Sequence, residues 1–107
     1  MKPPLQVETI DDGRVVVLRL AGVIDSNSAG AFQTPLIAAV SLPDRRVELD
    51  LGDVEFISSA GLRVLLIAAK RLASRGERLS LTRLKPYVRG TLELANFGLF
   101  LDFEPQR

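Results

Sequence analysis

The sequence predicts an α/β fold, a mixed β-sheet with helices packed against it in the order β-β-α-β-α-β-α-β. Three observations predict it. Segments rich in β-branched residues alternate with stretches whose apolar residues recur at helical spacing, and that alternation implies parallel strands joined through helices. An Asp11-Asp12-Gly13 turn joins the first two strands directly, which makes the sheet mixed. No repeat, low-complexity tract or linker interrupts the 107 residues, so a single domain is expected over 1–107.

The elements follow in order. Gln6 to Ile10 alternates weakly as a first strand before the Asp-Asp-Gly turn. Arg14 to Ala21 is dominated by valine and leucine and reads as a well-buried second strand. Gly22-Val23-Ile24-Asp25 leaves that strand and leads into Ser26-Asn27-Ser28, all three of which favour helix caps. A helix is expected from about Ala29 to Val40, with Phe32, Leu36 and Val40 on one face. Pro35 falls inside it and is expected to kink it or to delay its start. Val47 to Leu51 alternates as a short strand, and a loop is expected at Gly52-Asp53. A second helix runs from about Ala60 to Ser74, with Gly76 placed for a left-handed C-cap. Leu79 to Leu84 is a strand, and Pro86 suits the first position of a third helix reaching about Asn96. Leu99 to Phe103 closes the sheet as an edge strand.

Composition excludes several function classes. The chain has no cysteine and no histidine, which removes thiol catalysis, a Ser-His-Asp triad and an ordinary zinc site. Neither an EF-hand nor a Walker A spacing occurs, so self-contained catalysis is not expected and no cofactor is implied. Fourteen basic against 13 acidic residues leave a net charge of +1, without a general attraction to nucleic acid or anionic membrane. The apolar runs are too short to span a bilayer, and Met1-Lys2-Pro3-Pro4 lacks a signal-peptide core, so a cytoplasmic protein without membrane insertion is expected.

The most informative segment is Val54 to Leu66, where Ser58 and Ser59 stand at the entrance to the second helix. A hydroxyl there lies beside free backbone N–H groups and the positive end of the helix dipole, a setting that stabilises an anion. Either serine is thus an ordinary cap or a chemical switch, and only one can be the cap. Projected at 100° per residue, Leu62, Leu65, Leu66, Ala69, Leu72 and Ala73 form the expected core face. Arg63, Lys70, Arg71 and Ser74 lie opposite, with Val64 and Ile67 among them. Aliphatics set in a cationic rim suit a docking surface, unless a neighbouring helix covers them. Asp25 reads as a turn or capping residue. Asp50 and Asp53 read as solvated loop ends, in preference to an acidic pocket that takes phosphate on aspartate.

Gly22-Val23-Ile24-Asp25, Val47-Glu48-Leu49-Asp50-Leu51 and Phe56-Ile57-Ser58-Ser59-Ala60-Gly61-Leu62 together resemble a STAS domain, and more narrowly the bacterial anti-sigma factor antagonists. The resemblance runs from the first strand to Phe103. It implies a binding partner and kinase substrate, not an enzyme. The unmodified protein would bind an anti-sigma factor, a serine kinase with a histidine-kinase-like ATPase fold, and so release the sigma factor. Phosphorylation of one serine would separate the pair, and a PP2C-type phosphatase would reset it. By position the acceptor maps to Ser59, with Ser58 as the alternative, and the family's turn aspartate maps to Asp25. The partner surface implied comprises Asp25, Ser26, Ser58, Ser59, Gly61, Arg63, Val64, Ile67 and Lys70, on a monomer.

Two positions depart from the pattern. Ser58 stands where the best-studied members often have Asp, which removes a negative charge and supplies a second hydroxyl. Ala60 stands where Ser or Thr can occur, which removes a competing acceptor. Two other readings are a constitutive STAS scaffold in a stressosome or lipid-transport assembly, with Ser59 as a cap only, and a phosphotransfer or nucleotide-binding protein. The lack of a Gly-rich phosphate loop opposes the last.

Overall fold

A computed structural model describes residues 5–103. Five strands, β1 (Gln6–Asp11), β2 (Val15–Ile24), β3 (Arg46–Ile57), β4 (Leu79–Thr82) and β5 (Leu101–Phe103), form one sheet in the order β1-β2-β3-β4-β5. β1 pairs antiparallel with β2, and the remaining pairs are parallel. Three helices make the crossovers: α1 (Ala29–Val40), α2 (Ser59–Ala73) and α3 (Pro86–Leu94), the last followed by a 3₁₀ turn at Phe97–Leu99. The order and the mixed sheet are those the sequence predicts.

The turn between β1 and β2 is held by its own aspartates. The Gly13 amide donates to Asp11 Oδ1 at 2.8 Å, and the Arg14 and Val15 amides donate to Asp12 Oδ1 at 2.9 Å each. These bonds, with Arg45 beside Asp11, hold both carboxyls below the usual carboxylate range. Gly13 takes φ +92°, which a side chain would disfavour.

β3 is the element that departs most from expectation. The predicted loop at Gly52-Asp53 lies inside a continuous 12-residue strand. Arg19 faces Asp50 but Ala21 faces Asp53, and Gly22 faces Val54 but Val23 faces Phe56, so β3 gains a residue twice against β2. Two bulges explain why its buried positions step from Val47, Leu49 and Leu51 to Val54 and then Ile57. Broken alternation makes such a strand resemble a loop.

Alternation elsewhere in the sheet is regular. Val16, Leu18 and Leu20 of β2, Leu79 and Leu81 of β4, and Leu101 of β5 are buried, and residues between them are more exposed. α1 contributes Phe32, Leu36, Ala39 and Val40 to the same core, α2 contributes Val64, Leu65, Ala68, Ala69 and Leu72, and α3 contributes Val88 and Leu92. α1 keeps the predicted start in spite of Pro35. The missing N–H would have met the carbonyl of Ala31, and Ala31 is exposed, so water can replace it. α2 ends as predicted: Gly76 at φ +73° lets the Glu77 amide reach the Leu72 carbonyl at 2.9 Å. β4 and α3 end earlier than expected, where Arg83 and Asn96 turn into the left-handed region. No helix among the described residues is long and apolar enough to cross a membrane.

Candidate functional site at the start of α2

Because β2, β3 and β4 are parallel, the helices that follow them all begin at one end of the sheet. Open α/β sheets place their ligand and partner sites at such ends. The site is built there from two chain segments. The Ser58 amide donates to the Ile24 carbonyl at 2.8 Å, which fastens the entrance of α2 to the end of β2. Gly61, one turn into α2, lies against Ile24 and Ile57 so closely that a Cβ would come within 2.6 Å of Ile24 Cγ2 and 2.7 Å of Ile57 Cγ1. The Asp25 loop and the serine pair are therefore neighbours by construction.

Asp25 organises that loop. Its Oδ1 accepts from the amides of Asn27 at 3.0 Å and Ser28 at 3.1 Å, and its carbonyl accepts from the Ala29 amide at 2.8 Å. Ser28 Oγ donates to the Val23 carbonyl at 2.8 Å and accepts from the Asp25 amide at 2.9 Å. Ser28 holds the N-cap position of α1 without a side-chain cap bond of its own, while Asp25 takes the amides of Ser28 and Ala29 at the helix entrance. The sequence singles out Asp25 as a turn or capping residue and Ser28 as one of three cap candidates. Ser28 does hold the N-cap position, and its bonds to Val23 and Asp25 were not foreseen. Ser26 is exposed in the same turn.

The serines separate clearly. Ser58 is the N-cap of α2, with extended backbone, yet makes no side-chain cap bond, and its Oγ is buried without a hydrogen-bond partner. Ser59 is the first helical residue and is exposed. Since the Ser58 hydroxyl bonds nothing, Ser58→Ala is expected to change stability by no more than about 0.5 kcal/mol, against about 1 kcal/mol for removal of a working cap. Urea unfolding checks this.

The outer face of α2 is turned from its predicted position. Val64 is 3% exposed and belongs to the core with Ala68, so its expected place on a docking surface is corrected. The reason is α1, which packs beside α2 and extends the buried arc to that side. Conversely Ala73, predicted to be buried, is exposed, and Leu62 and Leu66 are only half-buried. The face that carries Ser59 holds Leu62, Arg63, Leu66, Ile67 and Lys70, at three, four, seven, eight and eleven residues beyond it. Arg63 and Lys70 are exposed and Ile67 is half-buried. Leu62 and Leu66 supply the aliphatic surface expected of Val64. Accordingly Val64→Ala is expected to cost about 1–3 kcal/mol of folding stability, read from a urea midpoint.

Asp50 is neither a solvated loop end nor part of an acidic pocket. It is 8% exposed on β3, where Arg83 Nη1 lies 3.3 Å from Oδ2, Arg19 Nε lies 3.6 Å from Oδ2, and the Gly52 amide donates to Oδ1 at 3.0 Å. Asp53 is exposed. Beside the site, exposed Phe56 and Tyr87 lie with ring centroids 6.1 Å apart, and Lys85 Nζ bonds Glu55 Oε1 at 2.9 Å, which ties the start of α3 to β3. Sequence reading passed over this pair because the bulges hid which way Phe56 points.

The chain belongs to the STAS domain family: residues 8–102 match the family model described as Mlab, STAS domain. Among individual proteins it is similar to BtrV of Bordetella bronchiseptica, named as an anti-sigma factor antagonist, with 44% identity over 86 residues, 80% of this chain and 73% of that protein. Its fold is similar to that of an anti-sigma factor antagonist from Mycobacterium paratuberculosis, at a TM-score of 0.83 and 24% identity over 99% of this chain and 92% of that one. It is also similar to the anti-sigma factor antagonist SpoIIAA in its unphosphorylated form, at a TM-score of 0.77 and 18% identity over 94% of this chain and 90% of that one.

Proposed function

We propose that this protein is an anti-sigma factor antagonist that binds an anti-sigma factor serine kinase through the start of α2 and is released by phosphorylation of Ser59. The observation that carries the reading is an exposed Ser59 heading a face of half-buried aliphatics and exposed cations, fastened beside the Asp25 loop. The identity to BtrV supports the same class. Ser59 is favoured over Ser58 because a kinase needs a hydroxyl it can reach, and the Ser58 Oγ has no accessible surface.

The chain is the substrate of the chemistry. Ser59 Oγ attacks the γ-phosphorus of ATP on the kinase; the Oγ–P bond forms, the bond to the bridging β–γ oxygen breaks, and ADP leaves with the hydroxyl proton released. The new group carries nearly two negative charges at pH 7. At the helix start its oxygens meet backbone amides and the dipole, so the fold tolerates it. A partner surface fitted to a neutral hydroxyl meets a bulky dianion instead. A PP2C-type phosphatase restores the hydroxyl, and the protein acts as a cytoplasmic monomer between partners.

Incubation with the cognate kinase and ATP, followed by mass mapping, is expected to find phosphate on Ser59. Phosphate on Ser58 would correct the acceptor, and phosphate on neither would sink the switch. The match to the model described as Mlab, STAS domain keeps a constitutive scaffold as the second reading, in which Ser59 only begins a helix.

A further inference from the structure

We infer that a phosphate on Ser59 is clasped by Arg63 on the same helix, so that modification also withdraws Arg63 from the partner surface. This rests on Ser59 being the acceptor. Ser59 and Arg63 are both exposed, one turn apart on α2. Side chains four residues apart lie about 5–6 Å from one another at Cβ, and an anion placed N-terminal to the cation is the favourable orientation. A guanidinium matches phosphate in two-point geometry.

Among the described residues no acidic side chain pairs with the Arg63 guanidinium. α1 and α2 contain no acidic residue, and among the described residues none of the ion pairs or side-chain hydrogen bonds involves Arg63. Other charged groups at this end of the sheet include Asp25 on the adjoining loop, the Glu55–Lys85 pair, and Arg83 after β4, which pairs with Asp50. Before modification Arg63 is thus a cation open to a partner's carboxylate. After it, the phosphate is within its reach and the outer face of α2 loses its first positive charge. Phosphorylation then acts twice on one interface: it adds an obstructing dianion, and it removes the attraction that guided an acidic partner surface to the site.

The test uses the full chain with phosphoserine installed at position 59 during translation, which makes it independent of any kinase. Phosphorus NMR titration reads the second ionisation of the phosphate in the wild-type background, in Arg63→Gln and in Lys70→Gln. The wild-type value is expected to lie lower than that of Arg63→Gln by about 0.15–0.4 pH unit, the size of an exposed pair one turn apart. Arg63→Lys should recover part of the difference, and 1 M salt should shrink it. Lys70→Gln, three turns along, should match the wild type. Equal values in wild type and Arg63→Gln, or an equal shift from Lys70→Gln, would overturn the clasp. Failure of the kinase to modify Ser59 would instead count against the proposed function and leave this titration to stand by itself.

Discussion

Ser59→Asp is expected to leave the protein folded and to weaken binding to its kinase partner more than a hundredfold. Ser59 is exposed at the first position of α2, where a carboxylate gains from free amides and the helix dipole, so the thermal midpoint should hold or rise slightly. The loss is confined to the interface. A desolvated negative charge against a surface fitted to a hydroxyl is expected to cost about 3 kcal/mol, more than two decades in Kd. Calorimetric titration with the kinase, alongside a thermal melt, measures both quantities. Unchanged affinity in a folded variant would favour the scaffold reading. Lost affinity in an unfolded variant would show that Ser59 matters for stability instead.

The second large effect belongs to Gly61→Ala, expected to destabilise the fold by about 1–3 kcal/mol. Helix propensity alone favours the change, because alanine is better than glycine in a helix interior by about 1 kcal/mol. Packing opposes it. The new methyl would stand 2.6 Å from Ile24 Cγ2 and 2.7 Å from Ile57 Cγ1, both on fully or nearly fully buried side chains with little room to move. Overfilling a tight core outweighs the propensity gain. Relief requires α2 to lift from β2 and β3, which would separate Ser59 from the Asp25 loop, so partner affinity should fall together with the urea midpoint. A Gly61→Ala protein more stable than wild type would show that the contact is not limiting.

These two positions differ in how far the sequence exposed them. Ser59 and Gly61 stand in the segment whose residues resemble the STAS pattern, and both could be named before any coordinates. The tight seat of Gly61 against Ile24 could not, because it joins residues 37 apart in the chain. The same distinction runs through the fold. Gly76 and Pro86 mark a helix end and a helix start through backbone conformation and a missing amide, properties that need no distant neighbour. The long β3 escaped because its two bulges break the period of two that strand reading depends on. The orientation of α2 escaped for another reason: a helix projection shows which residues share a side, but not how wide an arc the neighbours cover. Val64 looked exposed until α1 was beside it, and Leu62 and Leu66 looked buried but pack only at the edge of the core.

The sequence by itself determined the order of the elements, the lack of histidine and cysteine chemistry, the STAS resemblance and the serine pair at the start of α2. All of these are set by residue identity and local spacing. Only the tertiary structure decided which serine faces solvent, which aliphatics border it and that Asp50 lies between two arginines. Burial and pairing depend on what other segments bring to a residue, and here β2, α1 and the segment after β4 bring it, the first and last from more than 30 residues away.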